Sequence, residues 1–394
     1  MKDIRKVKLS EIAELITKGT TPTTLGYSFQ EKGVNFLKIE CFGDNGEFFL
    51  NKVAHISEEC NNKLKRSQLK KNDLLFSIAG AIGRVAIVTE NMLPANTNQA
   101  LAIIRISQKD IYIPYIKLIL TSPLIKKQFE KKKQGVAQLN LSLKDIGELS
   151  IPLIPFNEQK KIVQVLDKVN SIIESRKHEL QYLDELIKAR FVEMFGTIHN
   201  NPNDFEIKAL QDVCEPIKDG THQTPTYTED RINGYKFLSS KDVTTGIINW
   251  DNIKYIPTDL HEQLYARIKP KKGDVLLAKN GTTGIAAIVD KDEIFDIYVS
   301  LALLKPLNIN SVYLWAAINS QETKEQFDAS LKGIGVPNLH LGEIKKARII
   351  VPPIELQSKF ADFVQEVDKS KFAVQKALDE AQLLFDSLMQ KYFD

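Results

Sequence analysis

The chain is written twice, and the repeat limits its fold more than any other feature. Leu9-Ser10-Glu11-Ile12, followed by Ile16 and then Gly19-Thr20-Thr21-Pro22-Thr23, returns as Leu210-Gln211-Asp212-Val213, Ile217, Gly220-Thr221 and Thr224-Pro225-Thr226. The offset is 201 residues, with two extra residues before the second proline. At the same offset Phe36-Leu37 returns as Phe237-Leu238. Asp73-Leu74-Leu75-Phe76, Gly80, Gly83 and Ala86-Ile87-Val88 return as Asp274-Val275-Leu276-Leu277, Gly281, Gly284 and Ala287-Ile288-Val289. From Tyr115, matched by Tyr313, the offset is 198, and it holds through Asn140 with Asn338, Pro155 with Pro353 and Gln159 with Gln357. Similarity on this scale means one structural plan executed twice, so the fold of one half must serve the other.

Each half has two parts. The first, 1–156 and 207–354, mixes short β-rich runs (Val85 to Thr89, Leu101 to Ile106, Ile285 to Val289, Leu301 to Leu304) with Gly- and Asn-bearing loops. With one helix-like stretch near 112–130 or 310–332, it reads as an α+β globule. The second, 157–196 and 355–394, has no proline and almost no glycine. There Ile162, Leu166, Val169, Ile173, Arg176, Leu180, Leu183, Ile187, Arg190 and Met194 recur at alternating spacings of four and three. The same frame in the second copy gives Phe360, Val364, Val367, Lys371, Val374, Leu378, Ala381, Phe385, Leu388 and Tyr392. Seventeen of these twenty positions are apolar, which is the seam of a coiled coil, and two such helices in one chain most simply pack on each other. At 1.5 Å per residue each would be about 60 Å long. A helix packed only on its own globule would instead need a wider apolar stripe. Ile151-Pro152-Leu153-Ile154-Pro155 and Val351-Pro352-Pro353 end one element just before each helix starts. A linker at 197–206, built on Thr197-Ile198-His199-Asn200-Asn201-Pro202-Asn203-Asp204, separates the first helix from the second globule.

Composition narrows the class. No apolar run in the 394 residues approaches the roughly 20 that a bilayer span requires, and Met1-Lys2-Asp3-Ile4-Arg5-Lys6 lacks the apolar core of a secretion signal, so a cytoplasmic protein is expected. Cys41, Cys60 and Cys214 are scattered and read as reduced structural thiols. The motifs of catalysis are missing. His178-Glu179 and His261-Glu262 open like a zincin site, but Tyr182 and Tyr265 stand where the second His is needed, so both read as ordinary helix or loop surface and no metal site is expected. Gly80 and Gly83, or Gly281 and Gly284, are not followed by Lys-Ser or Lys-Thr and read as turn punctuation. Asn200-Asn201-Pro202-Asn203 lacks the second proline and the aromatic of an amino-methyltransferase motif, and Glu158-Gln159-Lys160 opens a heptad helix.

Charge is informative only by segment. The total is +3, but residues 1–156 hold 23 Lys+Arg against 15 Asp+Glu, 157–196 hold 7 and 7, 197–354 hold 18 and 20, and 355–394 hold 5 and 8. The first globule carries the excess, in Lys63-Leu64-Lys65-Arg66, Lys70-Lys71, Lys126-Lys127 and Lys131-Lys132-Lys133. In the same domain stand polar loop residues of the kind that read base edges while cations hold phosphates: Thr20, Thr21, Thr23, Asn96, Asn98, Gln99, Gln138 and Asn140. With Lys38, Arg84, Lys131 and Lys132 they are the candidate DNA contacts of the first globule. In the second, Lys279-Asn280-Gly281-Thr282-Thr283-Gly284 replaces Ile78-Ala79-Gly80-Ala81-Ile82-Gly83 between matching strands, a loop tip rewritten on a shared scaffold. The candidates there are Thr221, His222, Gln223, Thr224, Lys241, Lys279, Asn280, Thr282, Thr283, Asn338 and His340.

The order and duplication of these features resemble the specificity subunits of type I restriction-modification enzymes, over essentially the whole chain. The resemblance rests on a roughly 150-residue globule ending in a Pro-rich turn, a long helix opening Asn157-Glu158-Gln159-Lys160-Lys161-Ile162, and the Asn-Pro linker, then the whole repeated. Leu-x-Glu/Asp-Ile/Val with Gly-Thr and Thr-Pro-Thr, the Gly-x-x-Gly loop before Ala-Ile-Val, and Asn98-Gln99 add to it. It departs where Val299-Ser300 stands in place of Asn98-Gln99. The resemblance implies a non-catalytic subunit whose two target-recognition domains each read half of a bipartite double-stranded DNA site. It implies helices that form an antiparallel coiled coil about a pseudo-twofold axis, space those domains and dock two methyltransferase subunits, with restriction subunits as further partners. No cofactor would be bound by this chain; S-adenosylmethionine, ATP and Mg would belong to the partners. A coiled-coil interaction scaffold without DNA readout is the alternative, favoured by the near-neutral total charge.

Overall fold

Leu74-Leu75-Phe76 is apolar without alternation, the pattern of a strand covered on both faces, and these three residues and Ser77 are all buried. The structure, a computed structural model, describes residues 5–43, 46–130, 140–331 and 337–393. It divides into two units, one of residues 1–176 with 377–394 and one of 177–376. Both are α+β.

In the first unit Leu74–Ser77 lies inside a four-stranded antiparallel sheet, in the order Leu15–Lys18, Leu101–Arg105, Leu74–Ser77, Val85–Ile87. The period of two separates two cores. Leu74 and Phe76 face Val85, Ile104 and the helical Tyr115, Ile116 and Ile119, whereas Leu75 packs with Ala86, Ile103, Leu37 and Ala95 on the other side. That second face carries a three-stranded sheet, Ala54–Ile56, Val34–Leu37, Ala95–Thr97, whose last pair is parallel. A ribbon of Arg5–Lys8 against Ser150–Leu153 joins the two ends of the globule where the first long helix begins.

The second unit repeats this plan. Its sheets run Lys218–Asp219, Leu301–Leu304, Val275–Ala278, Ala286–Ile288 and Lys254–Ile256, Tyr235–Leu238, Phe295–Ile297, with a closing ribbon of Glu206–Ala209 against Arg348–Val351. One ion pair recurs in both. Arg105 grips Asp73 with two 2.7 Å hydrogen bonds, and Lys305 holds Asp274 at 2.5 Å, while each carboxylate also accepts the N–H three residues upstream. The helix-like stretch is two helices in each copy, Ile113–Thr121 with Pro123–Glu130 and Ser311–Ile318 with Gln321–Ser330. Proline cannot continue the first helix, and in the second copy Ser320 caps a new one by accepting the Thr323 N–H. The Thr197–Asp204 segment is ordered by hydrogen bonds: the Ile198 N–H donates to Glu322, and Asn201 bonds both polar atoms of the Phe205 backbone.

The two 40-residue helices span Phe156–Phe195 and Ile354–Phe393. Every one of the twenty heptad-frame positions is buried or half-buried, including Leu166, Val169, Ile173, Ile187, Phe360, Val364, Val367 and Val374, which are buried. The stripe widens at the ends. In the first unit Val163 and Leu166 share a core with Met389 and Phe393, beside Ile162, Phe385 and Leu388. In the second, Ile187 and Phe195 share one with Phe360, Val364 and Val367. The helices therefore pack antiparallel, and each gives its start to one unit and its end to the other. The narrow seam and the wide stripe coexist because the ends serve globules and the middle serves only the partner helix.

Candidate nucleic-acid interface

Antiparallel neighbours alternate direction, so one end of the first unit's four-stranded sheet collects the residues that follow Lys18 and Ser77 and precede Leu101 and Val85. That end holds Thr20, Thr21 and Thr23, Asn98 and Gln99, and the turn from Ile78 to Arg84. Asn140 arrives beside them through the Leu141 N–H, which donates to the Ile78 carbonyl at 3.0 Å. The parallel strands Val34–Leu37 and Ala95–Thr97 run to the same end and deliver Lys38. Gly19 is obligatory in this packing: a Cβ there would fall 1.7 Å from the Thr97 carbonyl oxygen, and in the second copy a Cβ on Gly220 would fall 2.0 Å from that of Ile297. The Gly-x-x-Gly turns are built by positive φ at all four glycines, between 70° and 92°.

Within this cluster the chemistry is graded by exposure. Gln99 and Asn140 are exposed, and Thr21 donates to Gln99 Oε1 at 2.5 Å, tying the two loops. Lys38 is held between Glu40 at 3.6 Å and the Phe29 ring at 4.6 Å, and the Arg84 guanidinium donates to the Phe42 carbonyl. Asn96 lies in the interior instead, without solvent contact, because its amide donates to Asn61 Oδ1 and the Leu64 carbonyl and accepts from the Thr97 N–H. Lys70-Lys71, separated from Leu74–Ser77 by two residues, lie at the opposite end of the sheet, and Lys71 pairs with Glu90. Lys131, Lys132 and Gln138 lie outside the described residues.

The corresponding end of the second unit exposes His222, Gln223, Thr224, Lys241, Thr282, Asn338 and His340, with Thr221, Asn280 and Thr283 half-buried. Asn280 bridges Asn338, and the Leu339 N–H donates to the Lys279 carbonyl, so three loops meet. Lys279 does not face solvent. Its ammonium reaches past the intervening strand Leu301–Leu304 to Asp219, 2.6 Å away, and its side chain is 7 % exposed. Arg267 donates to the carbonyls of both Asp219 and Gly220 at 2.7 Å. Sequence reasoning missed Asp219 and Arg267, although comparison of the copies carries a signal: Lys18 and Ile78 stand where the second copy has Asp219 and Lys279, two changes that make sense only together.

Register also corrects the alignment of the copies. Ala102 faces Phe76 as Ala302 faces Leu277, an offset of 200, so Tyr298-Val299 occupies the place of Asn98-Gln99 and Ser300 that of Ala100. The slip arises in a loop, Thr89–Pro94 in one copy and the one-residue-shorter Asp290–Ile294 in the other. His261 is not surface: it is buried on the helix Thr258–Arg267, stacked on Tyr235 with centroids 3.5 Å apart and bonded through Nδ1 to Asp296 at 2.6 Å. Burial pushes the Asp296 carboxyl up, and His261 pulls it partly back. All three cysteines are buried and free of disulfides, and burial raises each thiol, that of Cys214 to about 12, so none is a thiolate near neutral pH. Among the described residues no helix is long and apolar enough to cross a membrane.

Two copies of one α+β unit, each presenting a polar loop cluster at one sheet end and bound into a shared helix pair, define a tandem recognition protein. The family model for the type I restriction modification DNA specificity domain matches residues 1–185 and again 202–381. The chain belongs to that family, as a specificity subunit with two tandem specificity domains. It is 24 % identical over 341 residues to the type I restriction enzyme MjaVIII specificity subunit of Methanocaldococcus jannaschii, covering 78 % of this chain and 77 % of that one. To the EcoBI specificity subunit of Escherichia coli it is 34 % identical over 145 residues, 36 % of this chain and 30 % of that one. Among solved structures, a chain of a type I R-M system solved for its complex assembly and conformational transition superposes with a TM-score of 0.63 at 17 % identity, over 100 % of this chain and 98 % of that one. The type I restriction-modification S subunit from M. genitalium gives 0.52 at 15 % identity, covering 100 % and 97 %. These two likenesses bear on the fold.

Proposed function

We propose that each unit reads one half of a bipartite double-stranded DNA site through the loops at its sheet end, and that the chain itself is non-catalytic. The observation that carries this is the placement of equivalent polar loop clusters at the same sheet end of both units of a DNA specificity protein. Phosphate contacts fix register while polar loop side chains discriminate bases. The antiparallel helices set the distance between half-sites, suit the local dyad of DNA, and dock two methyltransferase subunits. S-adenosylmethionine belongs to those partners, with ATP and Mg belonging to restriction subunits where these join, and the complex works in the cytoplasm. A scaffold without DNA readout is not favoured, since both halves match a DNA specificity domain.

The test is methylome sequencing of cells carrying the system, with a gel shift of the reconstituted complex at two salt concentrations. The expected result is one asymmetric bipartite methylated sequence, and binding that weakens with salt in proportion to the phosphates contacted. Replacing residues 219–224 together with 279–284, so that the Asp219–Lys279 pair is exchanged as a unit, with those of a relative should alter one half-site alone. No binding even at low salt, or no change in either half-site, would overturn the reading.

A further inference from the structure

We infer that Lys279 is a positioning residue for DNA reading by the second unit, acting through Asp219 to hold the Gly220–Thr224 loop, and does not itself touch DNA. This rests on the reading of that unit as a half-site reader.

A lysine on a loop tip is ordinarily a phosphate contact, but the surroundings of Lys279 point the other way. The ammonium of Lys279 is spent on Asp219 at 2.6 Å, and both side chains are nearly excluded from solvent, at 7 % and 10 % exposed. The backbone of Asp219 and Gly220 is gripped independently by Arg267, so the loop base is fixed from two sides. Beyond that base His222, Gln223 and Thr224 project into solvent, and His222 Nε2 lies 3.4 Å from the same Asp219 oxygen that Lys279 holds. Lys279 also donates its N–H to the Ser300 carbonyl and accepts the Leu339 N–H, so one residue connects three loops. The first unit has Lys18 and Ile78 at these places and cannot form the pair, so the device belongs to one half-site only. A buried charge pair of this kind adds little stability as a pair, but loss of either member strands the other and releases what it held. A preorganised loop discriminates between sequences better than one that must be ordered on binding.

The experiment uses the full chain with its methyltransferase subunits and a duplex carrying the sequence methylated in cells expressing the unaltered system. Companion duplexes are altered in one half-site or the other. Lys279→Met and Asp219→Asn should each cut discrimination at the second half-site by about tenfold, the scale of one lost specific contact, and leave the first half-site untouched. The slope of log affinity against log salt should stay unchanged in both. If Lys279 instead bound a phosphate, Lys279→Met would reduce that slope by about 0.9, and Asp219→Asn would tighten binding by removing a negative charge. Either result overturns the inference, as does unaltered discrimination. Lys279→Arg should restore the wild-type ratio. Where a single variant melts early, the exchanged pair Asp219→Lys with Lys279→Asp keeps the test open: recovered discrimination supports the positioning role, and a folded protein without recovery overturns it. If the unaltered complex shows no second half-site at all, the reading of the unit fails, a result distinct from each of these.

Discussion

Gln159 and Gln357 sit in the first turns of the two long helices and are almost without solvent contact, at 2 % and 1 % exposed. A buried amide must satisfy its hydrogen bonds. Gln159 accepts the Tyr112 N–H and donates to the Asp110 and Ile154 carbonyls, and Gln357 accepts the Asn310 N–H and donates to the Pro352 carbonyl. Each rivets a helix start to the loop that opens the preceding helical layer. Gln357→Ala would leave a buried donor and acceptor unpaired at about 1–3 kcal/mol each, and should lower the melting temperature by several degrees at about 2–4 °C per kcal/mol. Calorimetry showing no change would place those groups in contact with water. Both glutamines are visible in the sequence as a repeat match but not as rivets. Burial of polar residues is the least legible property throughout. Asn96 and Lys279 have the composition of contact residues and are held inside by partners 32 to 60 residues away, beyond the reach of any local pattern.

Among the elements, the long helices are the most legible, because a 3.5-residue apolar period sustained over five heptads specifies a helical seam and little else. The shorter elements are less so: two consecutive helices, divided by Ser122-Pro123 or by the Ser320 cap, merge into one apolar-periodic stretch when read along the chain. In the central turns, 170–182 and 368–380, only the side chains of Ile173 and Val374 are buried, so these turns carry the seam and nothing else. Lys371 reinforces it by pairing with Asp184 at 2.6 Å. Removing one heptad from the central turns of both helices shortens the pair by about 10 Å, close to three base pairs of DNA. The expected methylome keeps both half-site sequences and closes the gap between them; altered half-site sequences would contradict a spacer role.

At the scale of the molecule, matching residues reveal the duplication, and the single-residue slip near Asn98 comes from a loop deletion that the matches alone do not locate. What no repeat could reveal is that neither unit corresponds to one half of the repeat. The first contains residues 377–394, with Met389 and Phe393 in its core at 5 % and 3 % exposed. A chain ending at residue 376 keeps every residue of the second unit and removes the last helical turns from the first. Each fully buried apolar side chain lost is worth about 1.5–3 kcal/mol. Amide exchange should therefore accelerate around Leu9, Tyr115 and Ile151, in the first unit's core, and leave Leu276 and Tyr313 protected. Faster exchange confined to the second unit would refute this division. The ribosome meets the same arrangement in time. The first unit to emerge must wait, with one wall of its interior open, until residues 377–393 have followed all of the second unit out, so the recognition domain begun earlier is completed after the other has been made.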